Sequence, residues 1–348
     1  MSADRTGPLA GVRVLELAGI GPIQLGCMLL ADLGAEVVLR MAETADVLIE
    51  AFRPGVAERL GVGPRVCAQR NGALIYAQMT GWGQQGPLAA RAGHDINYLA
   101  VTGALSSIGR AGQRPVPPLN LVGDFGGGAM FLVVGVLSAL LERERSGRGQ
   151  VIDAAMVDGA SYLMSMIYSG YASGLWRNER GANLVDGGAP FYDTYECADG
   201  KYVAVGAMEP QFFAQLVTAL RLTGVPAQHD RGGWPTMRRM FEAAFRSRAR
   251  DDWAELFASV DGCVAPVLDL SEAPAGAHLA ARRTFTEAFG VIQPEPAPRM
   301  SRTPGRIQSG PTEPGADSID VLQTWGFDRA DIDRLIADGV VRQPESSH

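Results

Sequence analysis

Four residues of this 348-residue chain have types and spacings suited to moving a proton: His94, Asn120, Asp124 and Glu209. Taking a proton from a carbon beside a carbonyl needs a base on one face of that carbon, and inverting the carbon needs an acid on the opposite face as well. The enolate formed between the two steps needs positive potential at its oxygen. His94, in RAGHDINYLAVTG, and Asp124, in PPLNLVGDFGGG, form the natural pair. Asp124 lies at the mouth of an expected helix, whose dipole favours a carboxylate there. Gly126, Gly127 and Gly128 let other backbone come close. Asn120 lies four residues before Asp124 and shares its face if the helix reaches that far. Glu209, in GAMEPQFF, stands at a helix start, where it could orient and charge His94. Each residue also has a plain structural role: an N-cap aspartate, a hydrogen-bonded histidine, a turn asparagine after Pro117-Pro118, and a carboxylate favoured by a helix dipole. Spacing alone favours those roles, because isolated polar residues are mostly structural.

The elements that must position these residues begin with VRVLELA (Val12–Ala18), a buried strand by composition. GIGPIQ follows, then a helical run to Leu33, then AEVVLR, which reads as a second strand. Gly19 and Gly21 are only a fragment of a dinucleotide fingerprint, since Gln24 occupies the third glycine's place. DVLIEAF (Asp46–Phe52) reads as another strand, with only five residues between it and Arg40. Parallel neighbours need a crossover of about a dozen residues, so either a hairpin or a missing crossover is expected there. ALIYAQM (Ala73–Met79) is a strand leading into a glycine-rich loop, and a long helix follows Asp124 up to Gly147. VIDAAMVDGASYLMSMIYSGY reads as helix, rich in methionine. RGANLVDGGAP is an extended glycine-rich linker, FYDTYECADGKYVAVGA a β-hairpin, and PQFFAQLVTALRL and DDWAELFAS are amphipathic helices. Beyond Ala273 come a Pro/Arg-rich connection and one or two short helices. The organisation expected is α/β: a Rossmann-like large domain with a parallel sheet over 1–154, completed by 298–348. A helical and glycine-rich linker covers 155–190, and a small α+β domain 191–297.

Bulk properties narrow the partners. Apolar residues make up 47% and charged residues 20%, with a net charge of −7, which disfavours nucleic acid or an anionic membrane. Lys201 is the only lysine, so a Schiff-base mechanism would have to use it. The four cysteines lie far apart, which fits reduced thiols and neither a disulfide framework nor a zinc site. No apolar leader is visible at the start, and the apolar stretch Ala129–Leu141, broken by Gly135 and Ser138, is too short to span a bilayer. A cytoplasmic location is expected.

Several segments carry a resemblance: GVRVLELAGIGP, DLGAEVV, ADVLIEAFRPGVAERLGVGP, LIYAQMTGWGQQGP, AGHDINYLAVTG, PPLNLVGDFGGG, GRGQVIDAAMVDG, LVDGGAPFYDTYECADGKYVAVGAMEPQFF and CVAPVLDLSEA. From Gly7 to about Ala273 the chain resembles the α-methylacyl-CoA racemases, a branch of the family III CoA-transferase (CaiB/BaiF) superfamily. GHDINY and GAMEPQFF point to the racemase branch. The resemblance implies racemisation of 2-methylacyl-CoA thioesters through an enolate, an isomerase activity of fatty-acid metabolism with no metal or organic cofactor, CoA being part of the substrate. It implies His94 as acid/base on one face, paired with Glu209, and Asp124 on the other, helped by Asn120. Gly93, Asp95, Ile96, Asn97 and Tyr98 would line the thioester end of the substrate. It also implies an interlocked homodimer in which Glu209 comes from the partner subunit.

The chain departs from the family at Arg40–Ala45, where a CoA-holding βα unit of roughly 30 residues is expected and missing. Arg40, Arg53 and Arg59 remain to meet CoA phosphates. Two other readings stand beside the racemase: a CoA-transferase using Asp124 as nucleophile, and a truncated paralogue that binds CoA too weakly to turn over.

Overall fold

The computed structural model describes residues 8–17, 37–308, 310 and 315–341. The Gly19–Gly21 pair and the helical run expected up to Leu33 lie outside the described residues.

Contacts divide the chain into two units. The first comprises residues 1–98, 121–162 and 283–348, the second 99–120 and 163–282. The first holds a parallel sheet in the order β1 (Val14–Leu17), β2 (Val47–Glu50), β3 (Ile75–Thr80), β4 (Val151–Ala155). The apolar runs VLIE and IYA read as continuous because both sheet faces are covered. Leu48 and Tyr76 face a core with Leu39, Met41, Ala42 and the C-terminal residues Leu322, Phe327 and Ile332. Their neighbours Val47 and Ile75 point the other way, against Val136, Ala139 and Leu140 of the Met130–Ser146 helix.

Three expectations for this unit need correction. The described part of AEVVLR is not a strand: residues 37–42 are helical, and Leu39, Met41 and Ala42 are buried in the core under the sheet. A short apolar run cannot be told from a buried helix by its pattern. β1 therefore pairs directly and in parallel with β2, Val14 opposite Val47. The crossover between them runs from Leu17 to Val47, so neither a hairpin nor an impossibly short connection exists. The stretch from Val151 begins as strand β4, and its helix starts only at Met156. Finally, Leu121–Ala129, wound as a π-helix, continues into Met130–Ser146. The 26-residue run is long and apolar enough by length and composition to cross a membrane, contrary to the estimate from the sequence.

The second unit is built on an antiparallel sheet of β5 (Tyr192–Glu196), β6 (Tyr202–Gly206) and β7 (Val264–Pro266). The expected hairpin is present, with Gly200 at φ 75° in the Ala198-Asp199-Gly200 turn. Its core is aromatic, with Phe191, Tyr195, Trp234, Phe241, Phe245, Trp253 and Phe257 buried together. Residues 99–120 group here because Arg110 bonds Asp193 and Thr194 while Arg180 donates to the carbonyls of Ser106 and Gln113. The Gly181–Gly188 stretch is not an extended linker. The Asp186 carboxylate accepts the amides of Gly181, Asn183 and Gly188 and knits it into a closed loop.

Candidate active site

Open parallel sheets bind ligands beyond the carboxyl ends of their strands. At that end, β2 finishes in Glu50, 2% exposed. Its carboxylate accepts the Phe52 amide at 2.6 Å and the Gln78 side-chain amide at 2.9 Å from the neighbouring strand. Burial pushes the Glu50 carboxyl above the usual glutamate range, against the opposing effect of those two bonds. Glu50 thereby fixes the turn that carries Arg53, itself exposed. β3 runs out into Gly81-Trp82-Gly83-Gln84, and Asp153 of β4 holds this loop by accepting the Gln84 amide at 3.0 Å.

The loop cradles Tyr98. A Cβ on Gly81 would stand 2.0 Å from the Tyr98 ring and one on Gly93 2.7 Å away, so only glycine fits on either side. Trp82 meets the ring edge-on at 4.8 Å, and the Tyr98 hydroxyl donates to the Gly93 carbonyl. Burial pushes the Tyr98 hydroxyl upward; the Asp124 charge adds to this and Arg53 opposes it.

Tyr98 belongs to the short Asp95–Val101 helix, which begins at His94. The His94 carbonyl accepts the amides of Asn97 and Tyr98, and its own amide donates to the Asn97 side chain at 3.0 Å. Asn97 thus takes the part a glutamate plays in a capping box. The His94 side chain is exposed. Asp95 is 8% exposed, and its Oδ1 accepts the Asp124 amide at 2.8 Å. Asp124 lies in the first turn of the π-helix, a winding found often at functional sites. That helix presses on the Met156–Leu163 helix, where Gly127 and Gly159 allow backbone contact.

The structure therefore ties Asp124 to Asp95, the residue that directly follows His94, on the short helix that also carries Tyr98. Ile96 is 42% exposed, whereas Asp95 and Asn97, assigned from the sequence to the substrate, use their side chains on backbone amides. Asn120 stands exposed immediately before the π-helix, which starts at Leu121. Glu209, in the other unit, is the exposed N-cap of the Pro210–Ala219 helix and makes no side-chain cap bond to it. Arg59 is exposed beside Gly55. Arg40, expected at the CoA phosphates, pairs its guanidinium with Asp331, bonds the Gly326 carbonyl and lies over the Phe327 ring. It anchors the C-terminal helices, which no sequence pattern near Arg40 announces. The sequence reading also missed Trp82, Glu50 and Gln78. The glycine before Trp82 was the available signal.

A parallel sheet with polar groups gathered beyond the carboxyl ends of its strands defines a ligand-binding fold of the α/β class. The chain belongs to family III of the CoA-transferases, whose family model matches residues 36–318. It is similar to the alpha-methylacyl-CoA racemase of Mus musculus, 43% identical across 96% of this chain and 97% of the relative. It is similar also to that of Homo sapiens, 39% identical over the same shares. These relatives are isomerases. The mouse alignment runs over 371 positions, more than the 348 residues here, so the relative carries residues that this chain lacks. In fold, the chain is like a CAIB/BAIF family protein from Brucella suis, with a TM-score of 0.75 and 22% identity, over 92% of this chain and 100% of the other.

Proposed function

We propose that this protein racemises 2-methylacyl-CoA thioesters by proton transfer at the α-carbon, with His94 and Asp124 acting on opposite faces. The observation that carries the reading is the near-full-length identity to alpha-methylacyl-CoA racemases in a chain that joins His94-Asp95 to Asp124 by a hydrogen bond. One group removes the α-proton, the enolate carries the negative charge at the thioester oxygen, and the other group returns a proton to the opposite face. Neither a metal nor an organic cofactor takes part, and CoA is the handle of the substrate. Glu209 orients and charges His94 across a homodimer, as the partner subunit's Glu209, and Asn120 supports Asp124. Support for the dimer comes from the apolar face that Met130, Val134 and Leu141 leave 57%, 59% and 61% exposed on the Met130–Ser146 helix. The enzyme works in the cytoplasm.

The residues lacking against the mouse relative are assigned to the stretch between β1 and β2, where the family resemblance implies a CoA-holding segment. Arg53 and Arg59 take over its phosphates. The test is incubation with a 2-methylacyl-CoA in deuterated water: α-proton exchange with loss of configuration supports the racemase. A covalent adduct on Asp124 trapped during turnover, with no exchange, moves the protein to CoA transfer.

A further inference from the structure

We infer that Asp95 is a positioning residue: its buried carboxylate, gripping the backbone of Asp124, sets where that aspartate stands relative to His94. This inference rests on the proton-transfer reading above. Asp95 directly follows His94, so the backbone that carries the histidine also carries the group that holds the aspartate. An aspartate as buried as Asp95, at 8% exposure, needs a partner. Its partner at 2.8 Å is the Asp124 amide, one of the first-turn donors that a helix leaves unpaired. A charged acceptor makes this bond stronger than an ordinary amide-to-carbonyl bond.

The surroundings are shaped for this contact. A Cβ on Gly123 would lie 2.3 Å from Asp95 Oδ1, so a glycine at that position is what lets the carboxylate reach. On the other side, Tyr98 is wedged between Gly81 and Gly93 and fixes the start of the helix from which Asp95 projects. Asp95 therefore joins two otherwise separate elements, the Asp95–Val101 helix and the π-helix, at the two residues that must face one carbon from opposite sides.

Three variants test this with α-proton exchange and amide exchange by mass spectrometry. Asp95→Ala removes the acceptor and lets Asp124 drift. A misplacement of about 1 Å costs up to roughly 10²-fold, so kcat should fall about 10- to 100-fold while KM stays near wild type. Amide exchange over residues 121–125 should speed up. Asp95→Asn keeps the Oδ1 acceptor and should restore most of kcat and the amide protection. Gly123→Ala, which pushes the carboxylate away, should reproduce the kcat loss even if Asp95→Ala fails to fold. Wild-type kcat in Asp95→Ala or Gly123→Ala, or a loss confined to KM, overturns the inference. If the wild-type protein shows no α-proton exchange, the racemase reading falls. Unchanged amide protection in Asp95→Ala would separately show that no clamp exists.

Discussion

A Cβ on Gly159 would stand 1.8 Å from the carbonyl oxygen of Gly127, a distance no real atom pair of this kind tolerates. The two glycines let the π-helix bearing Asp124 lie backbone against backbone on the Met156–Leu163 helix. Gly159→Ala should therefore force the helices apart. Overpacking of this sort costs about 1–3 kcal/mol, read as a lower urea midpoint with an unchanged slope. Because the same helix carries Asp124, α-proton exchange should fall as well.

His94→Ala and Asp124→Ala should each lower α-proton exchange by at least about 10²-fold, the scale of general acid–base catalysis. His94 is exposed, so its loss should leave far-UV circular dichroism unchanged. Wild-type exchange in either variant would remove that residue from the mechanism.

Glu272 accepts bonds from both Arg250 and Lys201, and these hold its carboxyl far below the usual glutamate range, the Arg250 bond acting most strongly. A carboxylate with a lowered native pKa stabilises the fold above its unfolded pKa, and the contribution disappears as pH falls toward the native value. Wild type should thus be more stable than Glu272→Gln at pH 7. The gap should shrink once the pH drops below the ordinary glutamate range near 4.5. Urea midpoints at a series of pH values measure it, and a gap that does not depend on pH would assign the effect to packing.

Charge-assisted bonds are worth about 1.5–3 kcal/mol each. The proposed loss of two such bonds at the CoA phosphates would weaken binding by roughly 10²- to 10⁴-fold at 1.4 kcal/mol per decade. Calorimetric titration with acetyl-CoA should give a dissociation constant in the high micromolar range or weaker, weakened further by Arg53→Ala or Arg59→Ala. Low-micromolar binding would show that other groups replace the lost contacts.

Light scattering at micromolar concentration should report a particle of twice the 36.9 kDa chain mass. Replacing Val134 and Leu141 by glutamate should yield monomers and, on the proposal that the partner subunit's Glu209 completes the site, abolish α-proton exchange. A monomeric wild-type protein that still exchanges would place the whole site in one chain.

Much of this fold is written locally. β2, β3 and the β5–β6 hairpin follow from apolar runs and an Asp-Gly turn. The 37–42 helix does not, because Val37, Val38 and Leu39 suit a strand as well as a buried helix, and the residues that share its core, Leu322, Phe327 and Ile332, lie far along the chain. The site shows the same division. GHDINY draws attention to His94 and its neighbours, yet the grip of Asp95 on the Asp124 amide depends on a bond across 29 positions. No periodicity encodes that. The same holds for the partner of Arg40, Asp331, which is 291 positions away.

Lys201 is the only lysine, and its ammonium group is half exposed while paired with Glu272. Among side chains it is the sole primary amine, so amine-reactive dyes have a single side-chain address on the molecule. That address sits beside β6, in the unit that carries Glu209, and lies outside the residues assigned to the chemistry. Acylation would also cancel the charge facing Glu272, so a fluorophore placed there would report on the local electrostatics of the small unit with no engineered cysteine required.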